Sequence, residues 1–296
     1  MSVCIHKSLK NPLLVVVWTL VLLATIVGSV RAREPVDHFL SAYSSRHLIQ
    51  PGPAFADLSL DRAYQFQRQY AHRLSTRLGS QRGYKVAMSS LAAQRHFGVS
   101  EPLYGVLFND MLLQSPARLP VKFGARGLLE ADLLVRVKDN GINEVTAIEE
   151  LLSHLDAVIP FVELPDPLWS GPLSAARLVA VNCGARYGVL GEPVALNEDS
   201  NWQQRLAEFS VELRGPEGEL LAAGSGDALL GHPLEAVFWL VRRLRQDGLA
   251  LNPGDLLSLG SLTPPSKPDS GFYQAIYSGL DPAGPTTVSI EFYPAK

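Results

Sequence analysis

The sequence is poor in cysteine: it has two, Cys4 and Cys183, among 296 residues. Cys4 falls in a segment that we predict to be removed, so Cys183 would have no partner for an intramolecular disulfide. Charged residues make up 19% of the chain, and no Lys/Arg-rich stretch alternates with aromatic residues. We therefore expect no nucleic-acid partner. With 47% hydrophobic residues, the chain can build its stability from a large core.

Several familiar catalytic patterns are also missing. There is no G-x-S-x-G sequence for a serine nucleophile, and the seven histidines do not fall at the spacings of metal ligands. The stretch "GSGDALLG" has the spacing G-x-G-x-x-x-x-G, which does not fit a dinucleotide-binding loop. Cys183 has no recognisable base partner, so we interpret it as a buried, inert thiol.

The N-terminus has the parts of a signal peptide in the usual order. Lys7 and Lys10 precede an apolar run that ends at Val30-Arg31-Ala32, where the small first and third residues suit a signal peptidase. We predict cleavage after residue 32 and a periplasmic or secreted bacterial protein, with an uncleaved membrane anchor as the alternative. The formal net charge would then change from −3 to −6, because three basic residues and no acid are lost.

The rest of the chain predicts an α+β fold. We predict that residues 33–80 form a helical N-terminal segment, in which a helix with Asp61 as its N-terminal cap ends at Gly79. Residues 81–296 form a sheet-rich catalytic domain, since short apolar runs alternate there with Gly, Pro, Asn and Asp clusters. Helices first, then strands with inserted helices, favour α+β over a regular βαβ repeat.

Within the sheet-rich part we predict two hairpins and two helices. The hairpins are "VELRGPEGELLAAG", turning at 216–218, and "YSGLDPAGPTTVSIEF", turning at 281–284. The helices are "EVTAIEELLSHLD" and "PLEAVFWLVRRLRQDG".

Two carboxylates in "LLEADLLVRV" raise a question of charge. Glu130 and Asp132 are two residues apart on a predicted buried strand, so their side chains point to the same face. Like charges in an apolar setting need a cation between them, unless the strand end is exposed to water. Glu163, which ends the apolar stretch "IPFVEL", offers a third carboxylate, and Lys85 a nearby cation. Three such ligands would suit Mg²⁺ or Mn²⁺.

The order of several sequence blocks resembles that of a known family. "RGYKVAMSS", "FGVSEPLYGVLFNDM", "LEADLLVRV", "IPFVELPD", "GSGDALLGHPLEAVFWLVRRL" and "LNPGDLLSLGSLTP" are similar in order and spacing to the 2-keto-4-pentenoate hydratase family of the fumarylacetoacetate hydrolase superfamily. The resemblance spans about residues 55 to 295. It implies the mixed β-sandwich roll of that superfamily, cytoplasmic catabolic relatives and a homo-oligomer.

The resemblance also assigns residues to a site. It implies a divalent metal, Mg²⁺ or Mn²⁺, and a small 2-oxo or 2-hydroxydienoate acid as the partner. Its metal ligands would be Glu130, Asp132 and Glu163. The proton-transfer residues would be Lys85 and Asp110. The substrate-binding residues would be Asn182, Gly260, Ser261 and Leu262.

Two departures from the family pattern leave alternatives open. Asp132 stands where the family usually has Glu, and Pro165-Asp166-Pro167 replaces a Ser-Arg element. The favoured function is a metal-dependent hydratase-like lyase that adds water to a 2-hydroxydienoate. A related 2-oxo-acid decarboxylase would use the same chemistry. A non-catalytic exported binding protein that kept the fold is the third possibility.

Overall fold

The computed structural model describes residues 35–197 and 201–295. The predicted signal peptide, residues 1–32, lies outside the described residues. From Pro35 onward the chain forms one compact unit. In the described part of the chain, no helix is both long enough and apolar enough to cross a membrane.

The described residues contain six α-helices and thirteen strands. The helices are α1, Pro35–Ser45; α2, Leu60–Leu78; α3, Leu91–Phe97; α4, Ala175–Ala180; α5, Trp202–Glu208; and α6, Pro233–Gln246. The strands are β1, Gln81–Ala87; β2, Leu103–Phe108; β3, Leu112–Gln114; β4, Ala117–Pro120; β5, Glu130–Val137; β6, Leu155–Leu164; β7, Tyr187–Leu190; β8, Val194–Ala195; β9, Ser210–Arg214; β10, Leu220–Ser225; β11, Leu256–Ser261; β12, Gly271–Asp281; and β13, Gly284–Tyr293.

These strands form two mixed sheets. The larger has eight strands in the order β2-β1-β11-β5-β6-β7-β3, with β8 paired to β6. The smaller has five strands in the order β10-β9-β12-β13-β4. Both predicted hairpins are present, as the pairs β9–β10 and β12–β13. The predicted α+β class is confirmed.

The long helix α2 is capped by a residue other than the predicted one. The side chain of Ser59 accepts a hydrogen bond from the Arg62 N–H, which satisfies one free donor of the first turn. Asp61, the predicted cap, lies inside the first turn, where its negative charge suits the helix dipole. The helix ends at Gly79, as predicted, with a positive φ of 76°.

One of the two other predicted helices has a different form. The segment from Pro233 is an α-helix, and its chain leaves through Gly248, as predicted. The helix predicted in "EVTAIEELLSHLD" is present over Ile148–His154, where it is a 3₁₀ helix. Strand β6 begins at the next residue, Leu155, so the helix is limited to the seven residues before it. The tighter 3₁₀ helix is the form used in such short pieces.

Strand pairing brings the predicted acids together. Glu130 on β5 and Glu163 on β6 are direct partners in the antiparallel register, and Asp132 is paired with Phe161. Residues that pair directly, and residues two apart on one strand, project to the same face of a sheet. All three carboxylates therefore leave the larger sheet on one face. Seven of the eight β5 positions are buried, as expected for a strand covered on both faces.

Aromatic side chains join the N-terminal helices to the loop after β6. The ring of Phe39 on α1 lies 4.7 Å from that of Phe66 on α2 and 5.2 Å from that of Trp169, centroid to centroid. Such edge-on contacts add to the energy of burial. They hold the loop that follows Glu163 against the helices. The division into a helical segment at 33–80 and a catalytic domain at 81–296 stays a prediction.

Tyr277 connects the two sheets beside the acids. It lies on β12 of the smaller sheet and is fully buried. Its hydroxyl donates to the backbone oxygens of Asp132, at 2.8 Å, and of Phe161, so the two acceptors share one proton. The hydroxyl also accepts a hydrogen bond from the Phe161 N–H at 3.3 Å. Because Asp132 and Phe161 face each other across β5 and β6, Tyr277 stabilises their register.

We expect Tyr277→Phe to lower the free energy of unfolding by about 2 kcal/mol, because it leaves buried backbone groups without a partner. Tyr273→Phe on the same strand is the matched control, since its hydroxyl accepts one hydrogen bond, from the Asp269 N–H. Urea unfolding of both variants measures the difference. Equal losses would contradict the role of Tyr277 between the sheets.

Candidate active site

A cavity of about 330 Å³ lies at one edge of the larger sheet. At this edge β1, β6 and β11 end and β5 begins, and these strands supply Lys85, Glu163, Ser261 and Glu130 to the lining. The remaining walls come from α3, α4 and the loops that precede β5 or follow β1, β6, β11 and α4. Three of the predicted ionic residues are therefore together in one cavity.

Lys85 forms a buried ion pair with Glu163. Its Nζ contacts Glu163 Oε1 and donates to the backbone oxygen of Cys183 at 3.2 Å. Burial lowers the pKa of Lys85, but the carboxylates of Glu163 and Glu130 outweigh it and raise the pKa overall. Lys85 therefore keeps its proton at neutral pH, although its side chain is almost fully buried.

Glu130 is the cavity acid whose negative charge has no cation from the described residues in direct contact to balance it. Burial, and then the negative charge of Glu163, raise its pKa to about 8, while the ammonium of Lys85 and the hydroxyl of Ser261 act in the opposite direction. Lys85 reaches the facing carboxylate of Glu163. Glu130 has no cation in direct contact among the described residues, so its charge is costly in this setting.

Asp132 is turned toward β11 and away from the cavity. One of its oxygens accepts a hydrogen bond from Ser258 Oγ at 2.6 Å, and the other from the Gly260 N–H at 3.1 Å. Burial, and then the charge of Glu163, raise the pKa of Asp132 well above its ordinary value. Its role as a metal ligand stays a prediction, and it requires these hydrogen bonds to be exchanged for the metal.

The cluster of carboxylates has the negative charge that a divalent cation would balance, but its side chains are not arranged around one site. Three buried carboxylates, Glu130, Asp132 and Glu163, share one ammonium, that of Lys85. When all three carboxyls are ionised, two negative charges are left without a cation. No group of three or more His, Cys, Asp and Glu side chains in the described residues is arranged to hold a metal ion. Mg²⁺, however, commonly uses one or two carboxylates and completes its shell with water and substrate, which suits Glu130 and Glu163.

The predicted residues Asn182 and Asp110 lie apart from the cavity. The Asn182 amide is fully buried and bonds both backbone groups of Val106, at 2.7 and 2.8 Å. Asp110 is exposed, beyond the end of β2 that pairs with Gln81. Lys85 lies four residues beyond Gln81 along β1, which is roughly 13 Å from Gln81 at 3.3 Å per residue. The structure thus does not bring Asn182 or Asp110 to the cavity, and their roles stay predictions.

The predicted turn at Gly260, Ser261 and Leu262 supports the acids from β11. Gly260 has a φ of +105°, and a Cβ there would collide with Ser89 Oγ. Ser261 lines the cavity. The Leu262 N–H donates to the backbone oxygen of Ala131, between the two acids of β5, at 2.8 Å. Substrate binding by these residues stays a prediction.

Ser89 and Met88 line the cavity but were not singled out in the sequence. Both follow Lys85 at the end of β1, and Met88 has a positive φ of 60°. A non-glycine residue in this conformation is uncommon and marks a constrained turn. The signal available in the sequence was their position directly after "YKVA", in the block that carries the resemblance.

Asp166, in the segment that stands where the family pattern has a Ser-Arg element, has a structural role. It is buried, forms an ion pair with Arg186 at 3.4 Å, and accepts hydrogen bonds from the N–H groups of Ala125 and Arg126 at 2.9 and 2.8 Å. These bonds hold the loop that ends at Leu128, which lines the cavity. Pairing and hydrogen bonding make such a buried charge tolerable.

The sequence matches curated proteins named 2-keto-4-pentenoate hydratase. One, from Paraburkholderia xenovorans (strain LB400), is 29% identical over 215 residues, which cover 71% of this chain and 77% of the relative. A Pseudomonas putida protein named 4-oxalocrotonate decarboxylase is 27% identical over 72% of this chain and 77% of its own length. The structure of 4-oxalocrotonate decarboxylase from Pseudomonas putida G7, complexed with magnesium and adipate, has a TM-score of 0.76 at 24% identity, covering 87% of this chain and 95% of that chain. No family model matches the chain.

These matches confirm the resemblance to the 2-keto-4-pentenoate hydratase family. The solved structures that share the fold are members of the fumarylacetoacetate hydrolase superfamily, so the predicted type of α+β fold is confirmed as well.

The localisation prediction, periplasmic or secreted with a membrane anchor as the alternative, is wrong. The confirmed resemblance is to a family of cytoplasmic catabolic enzymes, and it overturns the inference from the N-terminal pattern. The residues of that pattern lie outside the described part of the chain.

We expect the chelator-treated protein to become less stable between about pH 5 and pH 8. Glu130 binds its proton more tightly in the folded chain, with a pKa of about 8, than in the unfolded chain. The folded state therefore holds more protons in this window, and the free energy of unfolding falls as pH rises through it. Added Mg²⁺ should raise the melting temperature more at the upper end of the window, because it binds the ionised carboxylates. Thermal unfolding at a series of pH values measures both effects.

The Glu130→Gln variant isolates the cause. It should reduce the pH dependence of the chelated protein, leaving the part due to Asp132, and weaken the stabilisation by Mg²⁺. Glu149→Gln, at an exposed position, is the control and should change neither. An unchanged pH profile in Glu130→Gln would mean that another group dominates.

Proposed function

Because this chain resembles the 2-keto-4-pentenoate hydratases in sequence and shares the fold of their superfamily, we propose that it is a metal-dependent hydratase-like lyase acting on a small 2-hydroxydienoate or 2-oxoalkenoate acid. One observation carries the proposal: the cavity holds two facing carboxylates and one ammonium, and most of its other lining residues are apolar. A site of this kind can bind a cation together with an anionic substrate and keep bulk water out.

Glu130 and Glu163 would hold the ion, Mg²⁺ or Mn²⁺, and Asp132 would join them if it released Ser258 and Gly260. When bound, the ion would supply positive charge for the carboxylate and 2-oxygen of the substrate. Lys85 is already paired with Glu163, so it is not free to bind the substrate carboxylate by itself.

The reaction needs proton transfers that Lys85 can serve. Ketonisation of a 2-hydroxydienoate removes the proton of the 2-hydroxyl and adds one at C5. Hydration then places the oxygen of water on C4 and a proton on C3. Lys85 Nζ holds a proton at the cavity wall at neutral pH, because the acids around it raise its pKa. We assign the transfer to Lys85, since Asp110 lies outside the cavity.

Decarboxylation of a related oxo-diacid is the second candidate. The relative named 4-oxalocrotonate decarboxylase favours it, because it matches as much of the chain as the hydratase relatives do. Both reactions need negative charge stabilised next to the 2-oxo group, which the same cluster would serve. Direct assay of both substrate types separates the two activities.

We expect Lys85→Met to reduce turnover of 2-hydroxypenta-2,4-dienoate by about 10²–10⁴-fold, the usual contribution of a general acid-base group. Methionine keeps much of the apolar stem, so the cavity wall should persist. Loss of the dienoate ultraviolet band measures turnover. Stabilisation by Mg²⁺ against heat, measured on the same sample, reports whether the carboxylates still bind the ion.

Asp110→Asn is the matched comparison, because Asp110 was predicted for the same role and lies outside the cavity. It should retain turnover. If instead Asp110→Asn is inactive and Lys85→Met is active, the assignment of proton transfer is reversed. If the unchanged protein binds Mg²⁺ but turns over neither dienoate nor oxo-diacid, the protein is a binder and the proposed lyase activity is rejected.

A further inference from the structure

A second cavity, of about 770 Å³, lies next to the active-site cavity and shares the wall residue Leu128 with it. We call it the basic cleft, because four of its lining residues are lysine or arginine. They come from three segments that are far apart in sequence: Arg46 after α1, Lys122 and Arg126 between β4 and β5, and Lys267 between β11 and β12.

The basic cleft has little negative charge to balance these cations. Asp269 is the one acid among its described lining residues, so the lining carries a net charge of +3 with His47 counted as neutral. The whole chain, in contrast, has a formal net charge of −3. In the described part of the chain, none of the four basic side chains forms an ion pair. Cations that converge without acids around them create a positive potential that attracts anions.

We propose that the basic cleft binds a small polyanion, a molecule that carries at least two neighbouring carboxylate or phosphate groups. The site is separate from the cavity of the proposed lyase, and the proposal does not rest on that function. A volume of about 770 Å³ is within the usual range for small-molecule sites. None of the described lining residues is Phe, Tyr or Trp, so the cleft offers no surface on which a nucleotide base would stack.

Two of the cations are held by the backbone before a ligand arrives. Arg46 has a positive φ of 56°, and its Nη1 donates a hydrogen bond to the backbone oxygen of Lys122 at 3.1 Å. The Arg126 N–H donates to the buried carboxylate of Asp166 at 2.8 Å. A fixed backbone reduces the entropy that binding costs. Guanidinium groups also match the geometry of carboxylate and phosphate oxygens, with which they form paired hydrogen bonds.

Titration calorimetry of the full chain with pyrophosphate and with citrate tests the site, and acetate serves as the monoanion. Metal is first removed on a chelating resin, because both probes bind Mg²⁺. An ionic strength of about 0.1 M screens charges far from the cleft. We expect each probe to bind at one site at least about a hundredfold more tightly than acetate, because several charge-assisted hydrogen bonds form together. Tighter binding of pyrophosphate assigns the site to phosphates, and tighter binding of citrate assigns it to carboxylates.

Variants of single cations locate the site. Arg126→Gln and Lys267→Gln should each weaken binding of the preferred probe by about tenfold. Arg62→Gln is the matched control, because it removes the same charge from an exposed position on α2 that does not line the cleft. It should leave the dissociation constant unchanged. Lys85→Met, in the neighbouring cavity, should also leave it unchanged, and thermal unfolding verifies that each variant is folded.

Three results would overturn the proposal. The first is that neither probe binds more tightly than acetate. The second is that Arg62→Gln weakens binding as much as Arg126→Gln, which would show a response to the overall charge of the chain. The third is that Lys85→Met abolishes binding while Arg126→Gln and Lys267→Gln retain it, which would place the probes in the active-site cavity.

Discussion

The contact between the carboxylates of Glu130 and Glu163 is the constraint on which the site depends. Strand pairing places them opposite each other in a buried part of the sheet, and Lys85 compensates one of them. Like charges in an apolar setting either take up protons or bind a cation. The raised pKa of Glu130 is the first response, and a bound divalent cation is the second. Both are properties of the same geometry.

Much of the surrounding structure keeps this unfavourable contact in place. Tyr277 hydrogen-bonds β5 and β6 of the larger sheet to the smaller sheet. Asn182 hydrogen-bonds the backbone of Val106 on β2. Asp166 and Arg186 hold the loop that ends beside the cavity. Each of these polar groups is buried and hydrogen-bonded, as a site held under electrostatic strain requires. Asn182, whose role in substrate binding stays a prediction, is thus part of the hydrogen-bonded scaffold around the site.

The sequence predicted the parts that depend on local pattern. The two-residue spacing of Glu130 and Asp132, and the strand end at Glu163, were enough to predict acids on one face. The parts that depend on contacts distant in sequence were not predictable. Asp132 bonds Ser258, which is 126 residues away, and this turns its carboxylate from the cavity. The place of Asp110 depends on how β2 pairs with β1, and the 3₁₀ form of Ile148–His154 depends on where β6 begins.

The central claim is that a divalent cation binds between Glu130 and Glu163. Anomalous X-ray diffraction from crystals of the protein grown with Mn²⁺ tests it most directly. The account predicts one strong peak about 2.0–2.3 Å from carboxylate oxygens of both residues, the usual range for such ions. A peak bound elsewhere, or a cavity without Mn²⁺ while both carboxylates contact Lys85, would contradict it.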